Sequence, residues 1–207
     1  MKTIAVIDYA MGNLRSVSKA LEHVSQDTII VTGDADKIAA ADRVVLPGVG
    51  AIRDCIAALT ERQLVPVIQD AIRSKPTLGI CLGMQAFLDS SRENPEDDTP
   101  IDCLGFIPGT VERFVDNTLK IPHMGWNRVN YADHPLWHGI QQGSRYYFVH
   151  SYYCQPTNKE DISATTDYGL PFASAIARDN LFAVQFHPEK SQDCGLQLLK
   201  NFSQWTP

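Results

Sequence analysis

Short apolar runs alternate with amphipathic segments through the first half of the chain. The apolar runs span residues 3–7, 28–32, 43–46 and 77–80, and their lengths are typical of buried strands. Between them, apolar side chains recur three or four residues apart, as on one face of a helix. Strands that are apolar throughout and alternate with helices form parallel sheets covered on both faces. The pattern predicts an α/β fold of the doubly wound, flavodoxin-like type, with a mostly parallel central sheet flanked by helices.

The segments between the apolar runs predict helices of unequal length. We expect one over residues 14–24 with Asn13 as its N-cap, and a short one from Asp34. A single long helical stretch is expected over residues 52–72, and a further helix over residues 82–90. Ligands of doubly wound sheets bind at the carboxyl ends of the strands. The loops at 9–12, at 47–50 and around Cys81 are therefore expected along one edge.

The second half of the chain is richer in strand signals. The β-rich segments are 109–114, 127–131, 146–149, 172–177 and 181–186. Asp179 and Asn180 predict a two-residue hairpin turn between the last two segments, and a final helix is expected over 193–205. Residues 92–102 read as an acidic surface loop that contains Glu93, Glu96, Asp97 and Asp98. Without a linker or repeat to divide it, the chain is predicted to be one domain, residues 1–207, with an antiparallel extension in its C-terminal half.

Charge and cysteine content narrow the function classes. The formal net charge is −6 and the pI is near 5.4. Broad binding to nucleic acid or to anionic membranes needs basic patches, so both are disfavoured. Five scattered cysteines without a C-x-x-C pair argue against a disulfide framework or a zinc knuckle. Neither a signal-peptide core nor a run of ~18 apolar residues is present. We therefore expect a soluble, cytoplasmic protein.

One cysteine lies in a motif that carries chemistry. Residues 79–83 have the form G-x-C-x-G, which is the pattern of a nucleophile elbow between a strand and a helix. In such an elbow Cys81 occupies a sharp, strained turn, the glycines leave room for close chain passage, and the helix N–H groups can hold an oxyanion. The alternative is a buried structural cysteine between two packing glycines.

A thiol nucleophile needs a base, and the base needs an orienting group. His187 follows the predicted strand 181–186, and Glu189 lies two residues further on. In extended chain these two side chains leave on the same side, so the carboxylate can hold one ring nitrogen while the other faces Cys81. The sequence predicts a Cys81–His187–Glu189 triad. A structural His-Pro-Glu segment is the alternative when this segment is taken alone.

Together the two segments resemble the class I, triad-type glutamine amidotransferases, which carry a G-x-C-x-G elbow and an H-P-E segment. Within them the chain looks like the glutaminase subunits of imidazole glycerol phosphate synthases, from histidine biosynthesis. The resemblance covers nearly the whole chain, in segments 8–17, 46–50, 79–85, 121–127, 146–153 and 186–191. It identifies residues 1–207 as a single type 1 glutamine amidotransferase domain.

The resemblance implies hydrolysis of glutamine to glutamate and ammonia. Cys81 would attack the side-chain carboxamide, His187 would shuttle the proton to the leaving ammonia, and Glu189 would orient His187. The backbone N–H groups of Val49 and Leu82 would form the oxyanion hole. The substrate-binding residues that it implies are Gly50, Gln85, Glu93, Ser151 and Tyr152.

The resemblance also implies a partner, a (β/α)₈-barrel cyclase subunit that forms a heterodimer with this chain. The cyclase would use the ammonia to make imidazole glycerol phosphate and aminoimidazole carboxamide ribotide. The residues placed near this interface and the ammonia passage are Asn13, Met124, Trp126, Tyr146 and Lys190, although a core position is equally open for Trp126. No cofactor and no metal are expected. We interpret the dispersed His123, His134, His138 and His150 as structural or surface residues.

Three rival interpretations stay open, and one position departs from the family pattern. The glycine often found after the substrate-binding glutamate is Asn94 here, which leaves a plain surface carboxylate as the alternative for Glu93. The first rival is the glutaminase subunit of an anthranilate or aminodeoxychorismate synthase. Those subunits usually carry His where this chain has Met84, and they lack the Lys190 form. The others are a non-catalytic binding module and a redox-active cysteine protein on the same fold.

Overall fold

The computed structural model describes residues 2–94, 99–115 and 119–207. The helices are α1 (Leu14–Val24), α2 (Ala35–Ala40), α3 (Ile52–Glu61), α4 (Val65–Ser74), α5 (Leu82–Ala86) and α6 (Gln192–Gln204). The first seven strands are β1 (Thr3–Ile7), β2 (Thr28–Thr32), β3 (Arg43–Gly48), β4 (Thr77–Cys81), β5 (Leu88–Ser91), β6 (Ile101–Asp102) and β7 (Ile107–Arg113). The others are β8 (His123–Arg128), β9 (Asn130–Tyr131), β10 (Arg145–His150), β11 (Tyr152–Pro156), β12 (Ile162–Asp167), β13 (Pro171–Arg178) and β14 (Leu181–Val184). The predicted loop residues Glu96, Asp97 and Asp98 lie outside the described residues.

The main sheet has a parallel half and a largely antiparallel half. Its strand order is β2-β1-β3-β4-β14-β13-β11-β7-β5-β6, with β12 also paired to β13 and β9 paired to β12. From β2 to β14 every pairing is parallel. This is the 2-1-3-4-5 order of flavodoxin-like sheets, with β14 as the fifth strand, as predicted. The Asp179–Asn180 hairpin then reverses the chain and begins the antiparallel extension.

Alternating side chains of the parallel strands form two cores, one on each face of the sheet. Ala5 and Ile7 of β1 pack with α2, α3, α4 and α5 on one face, whereas Ile4 and Val6 pack with α1 and α6 on the other. Helices thus cover both faces, as the apolar strands require. In the described ranges, no helix combines the length and the apolar composition needed to cross a membrane.

Two predicted helices were wrong. The expected long helix over residues 52–72 is divided into α3 and α4 by a turn in which Gln63 has a φ of 55°. The expected helix over 82–90 ends at Ala86, and the next residues form β5, which pairs with β7. α1 begins after Asn13 as predicted, but the Asn13 side chain makes no capping hydrogen bond.

A second, two-stranded sheet lies against the α1 and α6 face. It pairs β8 with β10 in antiparallel register, with His150 opposite His123 and Tyr147 opposite Trp126. The side chains alternate strictly: His123, Tyr146, Phe148 and His150 are buried, whereas Met124 and Trp126 are exposed. We call this pair of strands the ribbon; its inner face joins the core and its outer face is accessible.

Candidate active site

Three neighbouring parallel strands bring the predicted catalytic segments together. β4 lies between β3 and β14, with Gly48 level with Cys81 and Val184 level with Ile80. Because the three strands run in the same direction, the chain leaves each of them at the same edge of the sheet. Cys81 ends β4, and the loop at Val49 and the His187 segment follow its two neighbours. The strand order therefore places all three segments side by side.

Cys81 occupies the sharp turn that its motif predicted. Its φ of 56° and ψ of −108° lie outside the regions that L-residues commonly adopt. The flanking glycines leave no room for a side chain, since a Cβ on Gly79 would lie 2.5 Å from the Phe87 ring and one on Gly83 would lie 2.0 Å from the Leu46 carbonyl oxygen. Close packing therefore holds a strained turn in place, which is a common arrangement at catalytic residues.

His187 and Glu189 form a buried pair. Nδ1 of His187 lies 2.9 Å from Oε1 of Glu189, and the side chains are 2% and 0% exposed. The carboxylate can only accept this bond, so it orients the ring and leaves Nε2 for the nucleophile. Burial alone would lower the pKa of His187. Its interactions with Cys81 and with the Glu189 carboxylate outweigh burial and raise the pKa to about 10. Both neighbours therefore favour the charged imidazolium, which suits His187 to donate a proton.

Two buried atoms of the pair have no protein partner at hydrogen-bond geometry among the described residues. They are Nε2 of His187 and Oε2 of Glu189. Cys81 is nevertheless close enough to influence the pKa of His187. An Nε2 atom that is near the thiol but not committed to another group can exchange a proton with a reacting molecule.

The ribbon fixes the backbone of the histidine. The N–H of His187 donates to the carbonyl oxygen of Tyr147 at 2.9 Å. Oγ of Ser191 donates to the carbonyl oxygen of His187 at 2.6 Å and accepts from the N–H of Tyr147 at 3.0 Å. His187, which follows β14 in the chain, is thus tied to β10 directly and through Ser191.

A cavity of about 280 Å³ opens over the thiol. This is near the lower end of the ~300–1,000 Å³ that small-ligand sites occupy, so the substrate should be small. Predicted site residues that line the cavity are Val49, Gly50, Cys81, Leu82, Gln85, Glu93, Ser151, Tyr152 and His187. The structure brings these residues together; their individual roles stay predictions.

The predicted substrate-binding groups are already engaged with the protein. Oε2 of Glu93 accepts from the N–H of Ile52 at 2.9 Å, at the start of α3. Burial raises the pKa of Glu93, with the Ile52 bond opposing this change and Asp54 adding to it. Nε2 of Gln85 donates to the carbonyl oxygen of Tyr152 at 3.1 Å. Glu93 is half-buried at the cavity rather than on the open surface.

Two groups near Cys81 were not among the predicted site residues. His150, interpreted as structural or surface, lines the cavity, and its Nδ1 lies 2.7 Å from the carbonyl oxygen of Tyr152. Gln185 is completely buried, and its Nε2 lies 3.7 Å from Sγ of Cys81. The strict alternation along β10 could have placed His150 on an inner face, whereas no local signal marks Gln185.

The predicted interface residues do not share one surface. Met124 and Trp126 are 56% and 44% exposed on the outer face of the ribbon, so a core position for Trp126 is excluded. Nζ of the exposed Lys190 lies 5.8 Å from the ring of Tyr147 on the same face. Tyr146 does not reach this outer face: its ring is completely buried, 4.0 Å from that of Phe186 between centroids. Asn13 is half-buried at the start of α1.

Comparisons of sequence identify the relatives of this chain. The model of the family described as "Glutamine amidotransferase class-I" matches residues 5–204. The protein named imidazole glycerol phosphate synthase subunit HisH of Methylococcus capsulatus is 55% identical and aligns over 100% of this chain and 98% of its own length. The protein of the same name in Acinetobacter baylyi is 54% identical over 99% of both chains.

Comparisons of structure agree on the fold. A chain in the structure of PurLQS from Thermotoga maritima superimposes with a TM-score of 0.74 at 17% identity, covering 99% of both chains. A chain solved as a glutamine amidotransferase gives a TM-score of 0.71 at 15% identity, with 96% of this chain and 98% of that one covered. At such identities the likeness extends to the fold alone.

Proposed function

Because the chain belongs to the class-I glutamine amidotransferase family, we propose that it is the glutaminase subunit of an imidazole glycerol phosphate synthase of the cytoplasm. The observation that carries the proposal is the cavity in which Cys81 on its strained turn meets the buried His187–Glu189 pair. The relatives at 54% and 55% identity, whose names specify this synthase, support the choice of synthase.

The first half of the reaction releases ammonia. The proton of the Cys81 thiol passes to Nε2 of His187, Sγ forms a bond to the carboxamide carbon of glutamine, and the carbonyl electron pair moves onto oxygen. The N–H groups of Val49 and Leu82 stabilise this oxyanion, and removing one such donor typically costs ~3 kcal/mol of barrier. When the oxyanion collapses, the C–N bond breaks as His187 gives its proton to the departing nitrogen. Glu189 stabilises the imidazolium before that transfer.

The second half regenerates the enzyme. Water adds to the thioester carbon while Nε2 of His187 takes one of its protons. The C–S bond then breaks, which releases glutamate and returns the sulfur of Cys81 to its starting form. Gly50, Gln85, Glu93, Ser151 and Tyr152 hold the amino-acid end of the substrate around the same cavity.

The ammonia goes to a (β/α)₈-barrel cyclase, which forms a heterodimer with this chain and completes the synthesis. The outer face of the ribbon is the surface that suits this partner, because Met124 and Trp126 expose apolar area there beside Lys190. Asn13 lies between β1 and the start of α1, at the carboxyl edge of the sheet where Cys81 also lies. Tyr146 contributes from the inner face of the ribbon, where it lies on β10.

The decisive experiment replaces the nucleophile. In the complex with the cyclase, Cys81→Ala should abolish glutamine-dependent synthesis and leave ammonia-dependent synthesis intact, because only the first needs the thiol. Both rates are followed by product formation with glutamine or with an ammonium salt. The complex is used because we expect the isolated chain to hydrolyse glutamine slowly.

Cys154→Ala is the matched control, since Cys154 is also a buried free cysteine but lies on β11 outside the cavity. It should retain both activities. If glutamine-dependent synthesis survives Cys81→Ala, the triad assignment is wrong. If neither nitrogen source supports synthesis even with the unaltered chain, the choice of synthase is wrong.

A further inference from the structure

A continuous chain of hydrogen bonds connects the ribbon to the nucleophile. It begins on β8, where Nδ2 of Asn127 lies 3.2 Å from Nε2 of His123. Nδ1 of His123 lies 3.0 Å from Nε2 of His150, and Nδ1 of His150 lies 2.7 Å from the carbonyl oxygen of Tyr152. His123 and His150 are 3% and 6% exposed, so these bonds are shielded from water.

One arrangement of protons satisfies all three bonds. The carbonyl oxygen of Tyr152 can only accept, so the hydrogen of His150 must be on Nδ1. Burial lowers the pKa of His150 to about 3 and that of His123 to about 4, so both rings are neutral near pH 7. Nε2 of His150 then accepts from His123, whose own Nε2 accepts from the Asn127 amide. Each donor therefore has a defined direction, toward Tyr152.

The chain continues from Tyr152 to Cys81 through two glutamines. Nε2 of Gln85 uses one hydrogen for the carbonyl oxygen of Tyr152 and the other for Oε1 of Gln185, each at 3.1 Å. Because its oxygen is occupied by Gln85, Gln185 must direct its amide nitrogen to the opposite side. That nitrogen lies 3.7 Å from Sγ of Cys81.

An amide N–H directed at sulfur favours the thiolate, because the thiolate is the better hydrogen-bond acceptor. It also restricts where the sulfur can lie. We propose that Gln185 is a positioning residue for the Cys81 nucleophile, held in its donating orientation by Gln85, whose own amide nitrogen is fixed by the carbonyl oxygen of Tyr152. The inference deepens the proposed function, since it assigns Gln185 a role in the same reaction.

The test measures the thiol without using glutamine. The rate at which iodoacetamide alkylates Cys81 is followed by peptide mass spectrometry from pH 5 to pH 10, on the full chain in complex with the cyclase. Gln185→Leu, which has nearly the same size and no donor, should slow alkylation at pH 7 about tenfold, as expected for loss of a hydrogen bond to a charged group. It should also lower kcat for glutamine hydrolysis by a similar factor with KM unchanged.

A second variant and a control separate positioning from packing. Gln185→Glu keeps the shape and the bond from Gln85 but presents an acceptor to the sulfur, so its alkylation curve should move to higher pH. Ser174→Ala is the control: Ser174 is equally buried on the adjacent β13, and its Oγ has no partner among the described residues. Its alkylation curve should match that of the unaltered chain.

An unchanged alkylation rate of Cys81 in Gln185→Leu would overturn the inference. If that variant fails to fold, an alkylation curve that is not shifted in Gln185→Glu would overturn it instead. A different result would contradict the proposed function, namely that the unaltered complex releases no ammonia from glutamine. The alkylation curves would still decide the role of Gln185.

Discussion

Two adjacent loops at the floor of the cavity contain glycines for different reasons. In the elbow, a Cβ on Gly83 would lie 2.0 Å from a backbone carbonyl oxygen, so that glycine is required for space. In the neighbouring loop, a Cβ on Gly50 would meet only the end of the Met11 side chain, but the φ of Gly50 is 101°. Gly50 is therefore required for its backbone conformation, which few other residues adopt.

The difference separates a fixed half of the site from an adjustable half. Cys81 is 6% exposed and enclosed by packing, whereas Val49 is 39% exposed. Gly48 is as confined as the elbow glycines, since a Cβ there would lie 2.6 Å from the Tyr9 hydroxyl oxygen. The loop is thus held at residue 48, and at residue 50 it has a glycine that can adopt other dihedral angles, so we expect the peptide between them to be able to rotate. The proposed nucleophile is set by packing, whereas we expect the proposed oxyanion donor to adjust to the substrate.

The largest effect is expected in the fixed half. Glu189→Gln should lower glutamine turnover about 10³–10⁴-fold, because a neutral amide neither stabilises the imidazolium nor holds the correct tautomer. KM should change little, since Glu189 is behind His187 and 0% exposed. Steady-state ammonia release in the complex measures both constants. The exposed Glu160→Gln is the control, and a loss smaller than tenfold would show that Glu189 is not an orienting group.

A direct contrast of the two glycines should give the next largest effect. Gly83→Ala should destabilise the protein by ~3 kcal/mol, because a methyl group 2.0 Å from a backbone oxygen forces the chain apart. Gly50→Ala should cost only about 1 kcal/mol through its unfavourable φ, but it should reduce turnover by stiffening the loop. Urea denaturation and ammonia release measure the two quantities. Equal destabilisation by both changes would remove the distinction between the halves.

The smallest effect is expected at Glu93. Its carboxylate accepts a hydrogen bond from the N–H of Ile52, just after the loop that contains Gly50. Glu93→Gln should change the free energy of unfolding by less than about 1 kcal/mol at pH 7, since the amide oxygen can still accept at the start of α3. Because folding raises the pKa of the Glu93 carboxyl group, this group stabilises the folded protein in acid. The contribution is lost as the pH rises from 4.5 through the raised pKa. The variant should lack that pH dependence.

Urea denaturation at pH 4 and pH 7 tests this expectation. The difference in free energy of unfolding between Glu93→Gln and the unaltered chain should favour the variant more at pH 7 than at pH 4. A loss above about 2 kcal/mol at pH 7 would mean that Glu93 fixes the loop as firmly as packing fixes the elbow.

Local patterns were sufficient for the parts of the site that depend on one segment. The glycines around Cys81 predicted the strained turn, and the spacing of His187 and Glu189 predicted their bond. The order of strands β3, β4 and β14 then brought these segments together, as expected for the carboxyl edge of a parallel sheet. The family resemblance supplied six further residues that line the cavity: Val49, Gly50, Gln85, Glu93, Ser151 and Tyr152.

The errors arose where a distant partner or an overlooked signal decided the structure. Residues 88–91 form β5 because β7 offers a pairing edge, which no window around them could reveal. The division between α3 and α4 could have been predicted, because Pro66 in the first turn of α4 is a helix-start signal. The burial of Tyr146 could also have been predicted, because the period of two along β10 places it on the same face as Phe148 and His150.

The backbone at residue 81 has an evolutionary consequence. Its positive φ is a conformation that glycine adopts without steric strain, whereas in cysteine it is strained and lowers stability. Selection for catalysis and selection for a durable fold therefore oppose each other at this one position. A lineage that no longer needed nitrogen from glutamine would therefore be expected to gain stability by exchanging the proposed nucleophile, Cys81, for glycine.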